Sequence, residues 1–378
     1  MPETVLKNAK IVLENEIISG SLSIKDGLIH DISTTTSVSG DDFEGDFLIP
    51  GLVELHTDHL EGHYMPRPRV RWNPIAAVLA HDAQIASSGI TTVFDALRVG
   101  LDEDADMTAA EMRKLADAIE DSVHQGRLRA DHYFHLRCEV SAEDCLEGFG
   151  LFENDERVKL ASLMDHAPGQ RQFVDLETYA YYYQRKLKLS DPDFKLFCEK
   201  RMAQSAANSD PQRRAIAELC RKRGIVLASH DDATQAHVDE AIEQGIQVAE
   251  FPTTIEAAAA SKNAGMSVLM GAPNIVRGGS HSGNVSAREL VEHGHLDILS
   301  SDYVPFSLIQ STFVLGEASG NIGLPEAIKL VTKNPAEAVG LNDRGTVAVG
   351  KRADLVRVRV DEHIPVVRTV WREGRRVA

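Results

Sequence analysis

Cysteine is scarce in this chain. Cys138, Cys145, Cys198 and Cys220 are the only four, and no two make a CxxC pair. That scatter excludes a disulfide scaffold and fits a reducing compartment. Positive charge is in deficit: 40 Lys and Arg stand against 57 Asp and Glu, a net −17. Such a surface repels nucleic acid and anionic lipid, which excludes both as partners held by bulk charge. No run approaches the ~20 apolar residues of a membrane helix. The opening residues, MPETVLKNAKIVLENE, lack a basic segment leading into an apolar one, so the expectation is a cytoplasmic protein without a secretory leader. Low-complexity linkers and short-period repeats are missing as well.

What is present is a chain of 378 residues, 43 % hydrophobic and 26 % charged, a globular balance with ample material for a core. Residues 1–50 and 343–378 read as short strands broken by turn signals such as Lys25-Asp26-Gly27. Two β-rich ends predict one small β-sandwich built from both termini. Residues 51–342 alternate instead. Apolar runs at 51–58, 91–97, 132–140, 160–166, 224–230, 246–251, 266–272 and 296–302 are separated by Ala- and Glu-rich helical stretches. Eight such runs predict a parallel α/β barrel of the (β/α)8 (TIM) type. A polar insertion at 170–212, carrying Tyr179, Tyr181, Tyr182 and Tyr183, is expected to fold over its mouth.

In a parallel barrel the reacting groups sit at the C-terminal ends of the strands. The first run ends in His56 and Asp58, whose spacing puts both on one face of an extended strand. The third carries His135, Arg137 and Glu139 on one face. The fourth ends in His166, the fifth in His230 and the eighth in Asp302. Each alone reads as an ordinary hydrogen-bonded residue. Three histidines and three carboxylates at one mouth make a poor apolar core, and one or two divalent ions would satisfy them. Imidazole and carboxylate without thiolate suit zinc, with manganese or iron as alternatives. The expected metal ligands are therefore His56, Asp58, Glu139, His166, His230 and Asp302, with Glu139 as a bridging carboxylate. His230 and Asp302 are also the expected catalytic residues. Asp302 is placed to accept a proton from an attacking water, or else is a plain ligand or a helix cap.

Basic residues gather locally despite the acidic total. Arg67, Arg69 and Arg71 alternate on a proline-stiffened segment and, if extended, point one way toward an anion; the plain alternative is solvated surface charge. Gly278 and Gly279 precede Ser280 and His281 in NIVRGGSHSGNVS, which with Arg277 reads as an anion cradle. Arg98 and Arg137, at strand ends, are further candidates. Together they predict a small anionic substrate in a pocket. The oligomeric state is left open, a homo-oligomer included.

FLIPGLVELHTD near the start and GTVAVGKRADLVRV near the end resemble the amidohydrolase superfamily. ELHTDHLEGHYMPRPRVRW, HLRCEV and LMDHAPGQRQF are similar to one branch of it. That branch is the α-D-ribose 1-methylphosphonate 5-triphosphate diphosphatases of the carbon–phosphorus lyase pathway, the PhnM family. The resemblance implies a distorted barrel with a terminal β-sandwich and a metal-dependent attack of water on the α-phosphorus of a phosphorylated sugar, with diphosphate leaving. The first-strand motif departs from the usual His-x-His, reading His56-Thr57-Asp58. Superfamily histidines usually fall on the fifth and sixth strands, whereas here His166 and His230 fall on the fourth and fifth. No lysine ends a strand where superfamily members carry a carboxylated one, which leaves Glu139 as its substitute. Two other readings compete: a deaminase or cyclic amidase on the same scaffold, and a metal-free scaffold protein.

Overall fold

The computed structural model describes residues 3–35, 37–101, 107–171, 179–280, 284–318 and 322–378. The side chains of Tyr181, Tyr182 and residues 317–318 lie outside the description, as do His281 and part of the 170–212 insertion.

Eight parallel strands make the central sheet, in sequence order: β6 (Leu52–Thr57), β7 (Ile90–Val99), β8 (Asp131–Glu139), β9 (Val158–Met164), β10 (Val226–His230), β11 (Val248–Glu250), β12 (Ser267–Gly271) and β13 (Ile298–Ser300). Each falls on one of the eight apolar runs. Helices between them cover the outside, as a sheet buried on both faces requires. Val53, Leu55, Phe94, Leu160, Ala228, Val248, Leu269 and Ile298 fill the interior, and Ala336 and Val339 join them.

The barrel closes imperfectly between β6 and β13. The N–H groups of Val53 and Leu299 donate to the carbonyls of Val331 and Leu330. Above that gap, Thr57 bridges to Asp302, and Asp302 N–H donates to His56 O at 3.1 Å. The buried Glu54 carboxylate completes the seam. It accepts from His56 N–H and Ser301 N–H, each at 2.6 Å, so one side chain ties the first strand to the loop after the last.

A second sheet, mostly antiparallel, comes from both termini. It joins β1 (Thr4–Val12), β2 (Ile17–Lys25), β3 (Leu28–Ser33), β4 (Asp41–Asp42) and β5 (Phe47–Pro50) to β14 (Leu355–Asp361), β15 (Ile364–Arg372) and β16 (Arg375–Arg376). The join is β5 against β14.

Most of the insertion is a brace. A 33-residue helix, Asp191–Arg223, begins at the Ser190 cap and stops at Gly224, whose φ of 67° is the left-handed conformation that glycine adopts without a Cβ penalty. The middle of its buried face, from Arg201 to Arg213, is polar, with apolar residues at either end. Ser205 and Ser209 donate to Asp165 at 2.7 and 2.6 Å, and Gln212 donates to the carbonyls of Val140 and Ala142. The helix thus pins the loops after β8 and β9. No helix among the described residues is long and apolar enough to cross a membrane.

A buried ionic chain ties the helix Pro74–Ser87 to the sheet. His81 Nε2 meets Asp95 Oδ1 at 2.7 Å, Asp95 Oδ2 meets His132 Nδ1 at 2.7 Å, and His132 Nε2 faces Asp82 Oδ1 at 3.4 Å. Burial opposes charge on His132, but Asp95 and Asp82 outweigh it and push its pKa up to about 9. Because the folded value lies above the ordinary one near 6.5, its contribution to stability is complete below pH 6.5 and is lost as pH rises through about 9. Thermal melts of the metal-free protein from pH 6.5 to 9.5 should therefore show a falling Tm, with the fall reduced in His132→Gln. Identical alkaline slopes for the two proteins would contradict the assignment.

Candidate metal centre

The β6/β7 register shifts between Glu54 and Thr57. Such a bulge re-aims side chains. It lets Leu55 fill the barrel interior while its neighbour His56 lines the mouth cavity. That cavity has a volume of about 310 Å³. His56, His166, His230, Asp231 and Asp302 form its polar floor, and Arg137, Arg277 and Ser280 lie on its walls.

The histidines are oriented from behind. Glu250, at the end of β11, is fully buried. Its Oε1 lies 2.9 Å from His56 Nδ1 and its Oε2 lies 3.2 Å from His230 Nδ1. A carboxylate accepts only, so both Nδ1 atoms carry hydrogen and both Nε2 atoms keep lone pairs. Glu139 does the same for His166, with Oε2 2.6 Å from Nδ1. Burial pushes His56 and His230 down to about 3, so both rings are neutral at pH 7. Burial also disfavours the His166 imidazolium, but the Glu139 carboxylate outweighs it and raises that pKa.

Asp231 completes a cluster. Its Oδ2 lies 3.8 Å from His166 Nε2 and 3.5 Å from His230 Nε2. Ligand atoms of His166, His230 and Asp231 all fall within 4.8 Å of one another, an arrangement that could hold a metal ion. Burial raises Asp231 to about 6. Burial, with Asp58 nearby, raises Asp302 to about 7.

The other residues singled out in the sequence sit as follows. Asp58 lies past the end of β6, outside the cavity lining, and faces Arg137 Nη1 at 3.4 Å. The strand-alternation argument does not reach it, because the chain turns there into the helix His59–Tyr64. Glu139 is buried behind His166 and also accepts from Ser141 Oγ at 2.6 Å, with Arg98 at 3.5 Å. That leaves it among hydrogen-bond donors and not on the cavity floor. His135 is sealed between Leu55 O and Ser162 Oγ.

The arginine segment is not extended. Val70 N–H donates to Arg67 O at 3.0 Å, and Arg69 has a φ of 65°. Pro68 at the second position favours such a turn, so the three arginines do not point one way. Arg67 and Arg69 are exposed, and Arg71 pairs with Glu111 at 2.6 Å. None of the three lines the cavity, nor does Arg98. Arg277 and Ser280 do line it, while His281 lies outside the described residues.

The sequence reading missed Glu250 and Asp231. Glu250 is the penultimate residue of the sixth apolar run, and Asp231 directly follows His230, the last of the fifth. Reading the polar residues on either side of each run's last position would have found both.

The amidohydrolase family profile matches residues 83–378. Over 377 residues the chain is 51 % identical to the α-D-ribose 1-methylphosphonate 5-triphosphate diphosphatase of Escherichia coli (strain K12), covering 99 % of this chain and 100 % of that one. Among solved structures, N-isopropylammelide isopropylaminohydrolase from Burkholderia multivorans ATCC 17616 superposes with a TM-score of 0.64 at 14 % identity, covering 100 % of this chain and 98 % of that one. Dihydropyrimidinase from Brevibacillus agri NCHU1002 gives 0.62 at 14 %, over 99 % and 94 %. At that identity the likeness shows the fold alone.

In nitrogen-15 NMR of the metal-free protein, His56 and His230 should give neutral Nδ1–H tautomer patterns at every pH from 5 to 8. An imidazolium pattern for either at pH 7 would contradict the orientation described.

Proposed function

We infer the reaction from the cavity together with one premise: the chain belongs to the amidohydrolase family. It is a hydrolase that removes diphosphate from α-D-ribose 1-methylphosphonate 5-triphosphate. Water attacks the α-phosphorus, the bond to the bridging oxygen of the outer diphosphate breaks, and the 5-phosphate ester remains. The observation that carries this reading is end-to-end identity of 51 % with an enzyme of that name. Residues 51–342 are the catalytic unit, flanked by the terminal strands of 1–50 and 343–378. The four buried cysteines, all free thiols, suit the cytoplasm as its compartment.

The donor set fits a divalent ion. Nε2 of His166, Nε2 of His230 and Asp231 offer the ligand atoms, with His56 and Asp302 beside them on the same floor. Imidazoles backed by carboxylates are the usual arrangement at metal sites. Zinc suits these donors, and manganese or iron are the alternatives. An ion there would neutralise charge on the transferring phosphoryl group and make water a better nucleophile. Asp302, raised to about 7, takes the proton of the attacking water. Arg137 and Arg277 bind polyphosphate oxygens, and Ser280 adds a hydroxyl contact. Glu139 and Glu250 hold the histidines and do not meet the substrate. A deaminase or cyclic amidase has no use for two cavity arginines, and a metal-free scaffold has no use for the carboxylate-backed histidines.

With purified protein, zinc or manganese and the ribose 5-triphosphate ester, diphosphate should appear stoichiometrically with the 5-phosphate. His230→Ala and Asp302→Asn should each lower kcat by about 100-fold or more with unchanged circular dichroism. Arg277→Ala should act mainly on KM. Ammonia release from cyclic amides without diphosphate release, or wild-type turnover in His230→Ala, would overturn the assignment.

A further inference from the structure

A second group of histidines lies on the helical side of β7 and β8, outside the mouth cavity. His59 and His63 stand one turn apart on the helix His59–Tyr64, where i, i+4 residues share a face. His81 faces them from the helix Pro74–Ser87. The His59 and His63 ring centroids are 4.8 Å apart, and those of His59 and His81 are 5.9 Å apart. One ligand atom from each ring lies within 4.8 Å of the other two.

Three buried atoms of this group lack hydrogen-bond partners among the described residues: His59 Nδ1, His63 Nε2 and His81 Nδ1. Buried polar atoms are normally paired, and three unpaired nitrogens on three neighbouring rings call for a ligand. The tautomer of His81 says which kind. Its Nε2 sits 2.7 Å from Asp95, which accepts only, so Nε2 carries the hydrogen and Nδ1 presents a lone pair. His81 is itself fully buried. Asp95 is fixed in turn by His132, so the carboxylate behind the ring cannot swing away. A buried ring with a free nitrogen, two more imidazoles with centroids 5.9 and 6.0 Å away and a carboxylate on its other nitrogen are the parts of a carboxylate–histidine–metal unit.

We propose that His59, His63 and His81 form a second metal site, separate from the mouth cluster, that takes a zinc-class divalent cation on three imidazole nitrogens. His59 and His63 are only partly buried as residues, and a tetrahedral ion on three imidazoles would take water as its fourth ligand. No residue of this site lines the mouth cavity. Its role is structural. The ion clips the six-residue helix, too short to be stable alone, onto the helix behind it. It thereby fixes Asp58, which stands at the N-terminal end of that helix and faces Arg137.

The test is metal content and metal position in the full, untagged chain. Protein is loaded with zinc chloride, dialysed and measured by mass spectrometry beside His63→Leu and His59→Asn/His63→Leu. Each variant should hold about one zinc fewer per chain than the wild type, while His230→Ala keeps this zinc and loses that of the mouth. Zinc-edge anomalous maps of wild-type crystals should place a peak about 2.0–2.1 Å from all three nitrogens, whether or not the variants fold. Equal zinc content in the wild type and folded variants, or no peak among the three rings, would overturn the proposal. A failed mouth assignment would show instead as unchanged zinc in His230→Ala.

Discussion

The carboxylate of Glu250 is the constraint on which the mouth of this barrel depends. It is buried at the end of the sixth barrel strand, and it takes the Nδ1 hydrogens of His56 from the first strand and His230 from the fifth. One side chain thereby fixes two rings, their tautomers and the spacing of three strands. Glu139 repeats the device for His166. Unpaired buried carboxylates would be costly; here each loses that cost by holding imidazoles. On His56 and His230 the result is a pair of Nε2 lone pairs facing a polar cavity, where burial disfavours the proton, while His166 is oriented by a carboxylate that raises its pKa.

The rest of the fold serves that floor. Glu54 closes the seam between the first and last strands and so brings Asp302 across from His56. The long helix Asp191–Arg223 pins the loop that carries His166 through Asp165, Ser205 and Ser209. Arg201 on the same helix reaches Ser141 and stands 3.9 Å from Glu139. The polar part of its buried face is explained by this: it meets loop carbonyls, a carboxylate and the Leu146 N–H, which Gln212 accepts, and each of these needs a polar partner.

Much of this was legible in the sequence. The eight barrel strands fall on the eight apolar runs because a parallel strand buried on both faces must be apolar along its length. His56, His166, His230 and Asp302 were visible as polar ends to those runs. The count of strands also stands: His166 follows the fourth barrel strand and His230 ends the fifth, while the sixth ends in Glu250. Less visible were tertiary pairings. That Glu139 sits behind a histidine, and that Arg71 spends its charge on Glu111, depends on partners far along the chain. The Arg67–Val70 turn was hidden because alternating arginines suggest a strand, whereas Pro68 and a left-handed Arg69 make a bend.

The most direct test of the central claim is the metal affinity of the mouth site with Glu250 altered. Zinc competition against a chromophoric chelator, in wild type and Glu250→Gln, reads it without any turnover. The glutamine keeps the shape but offers one acceptor oxygen where two histidines need two. Affinity at the mouth site should fall by about 10–100-fold. Equal affinity in the two proteins would mean that the histidines do not depend on the carboxylate behind them, and the account of the site would fail.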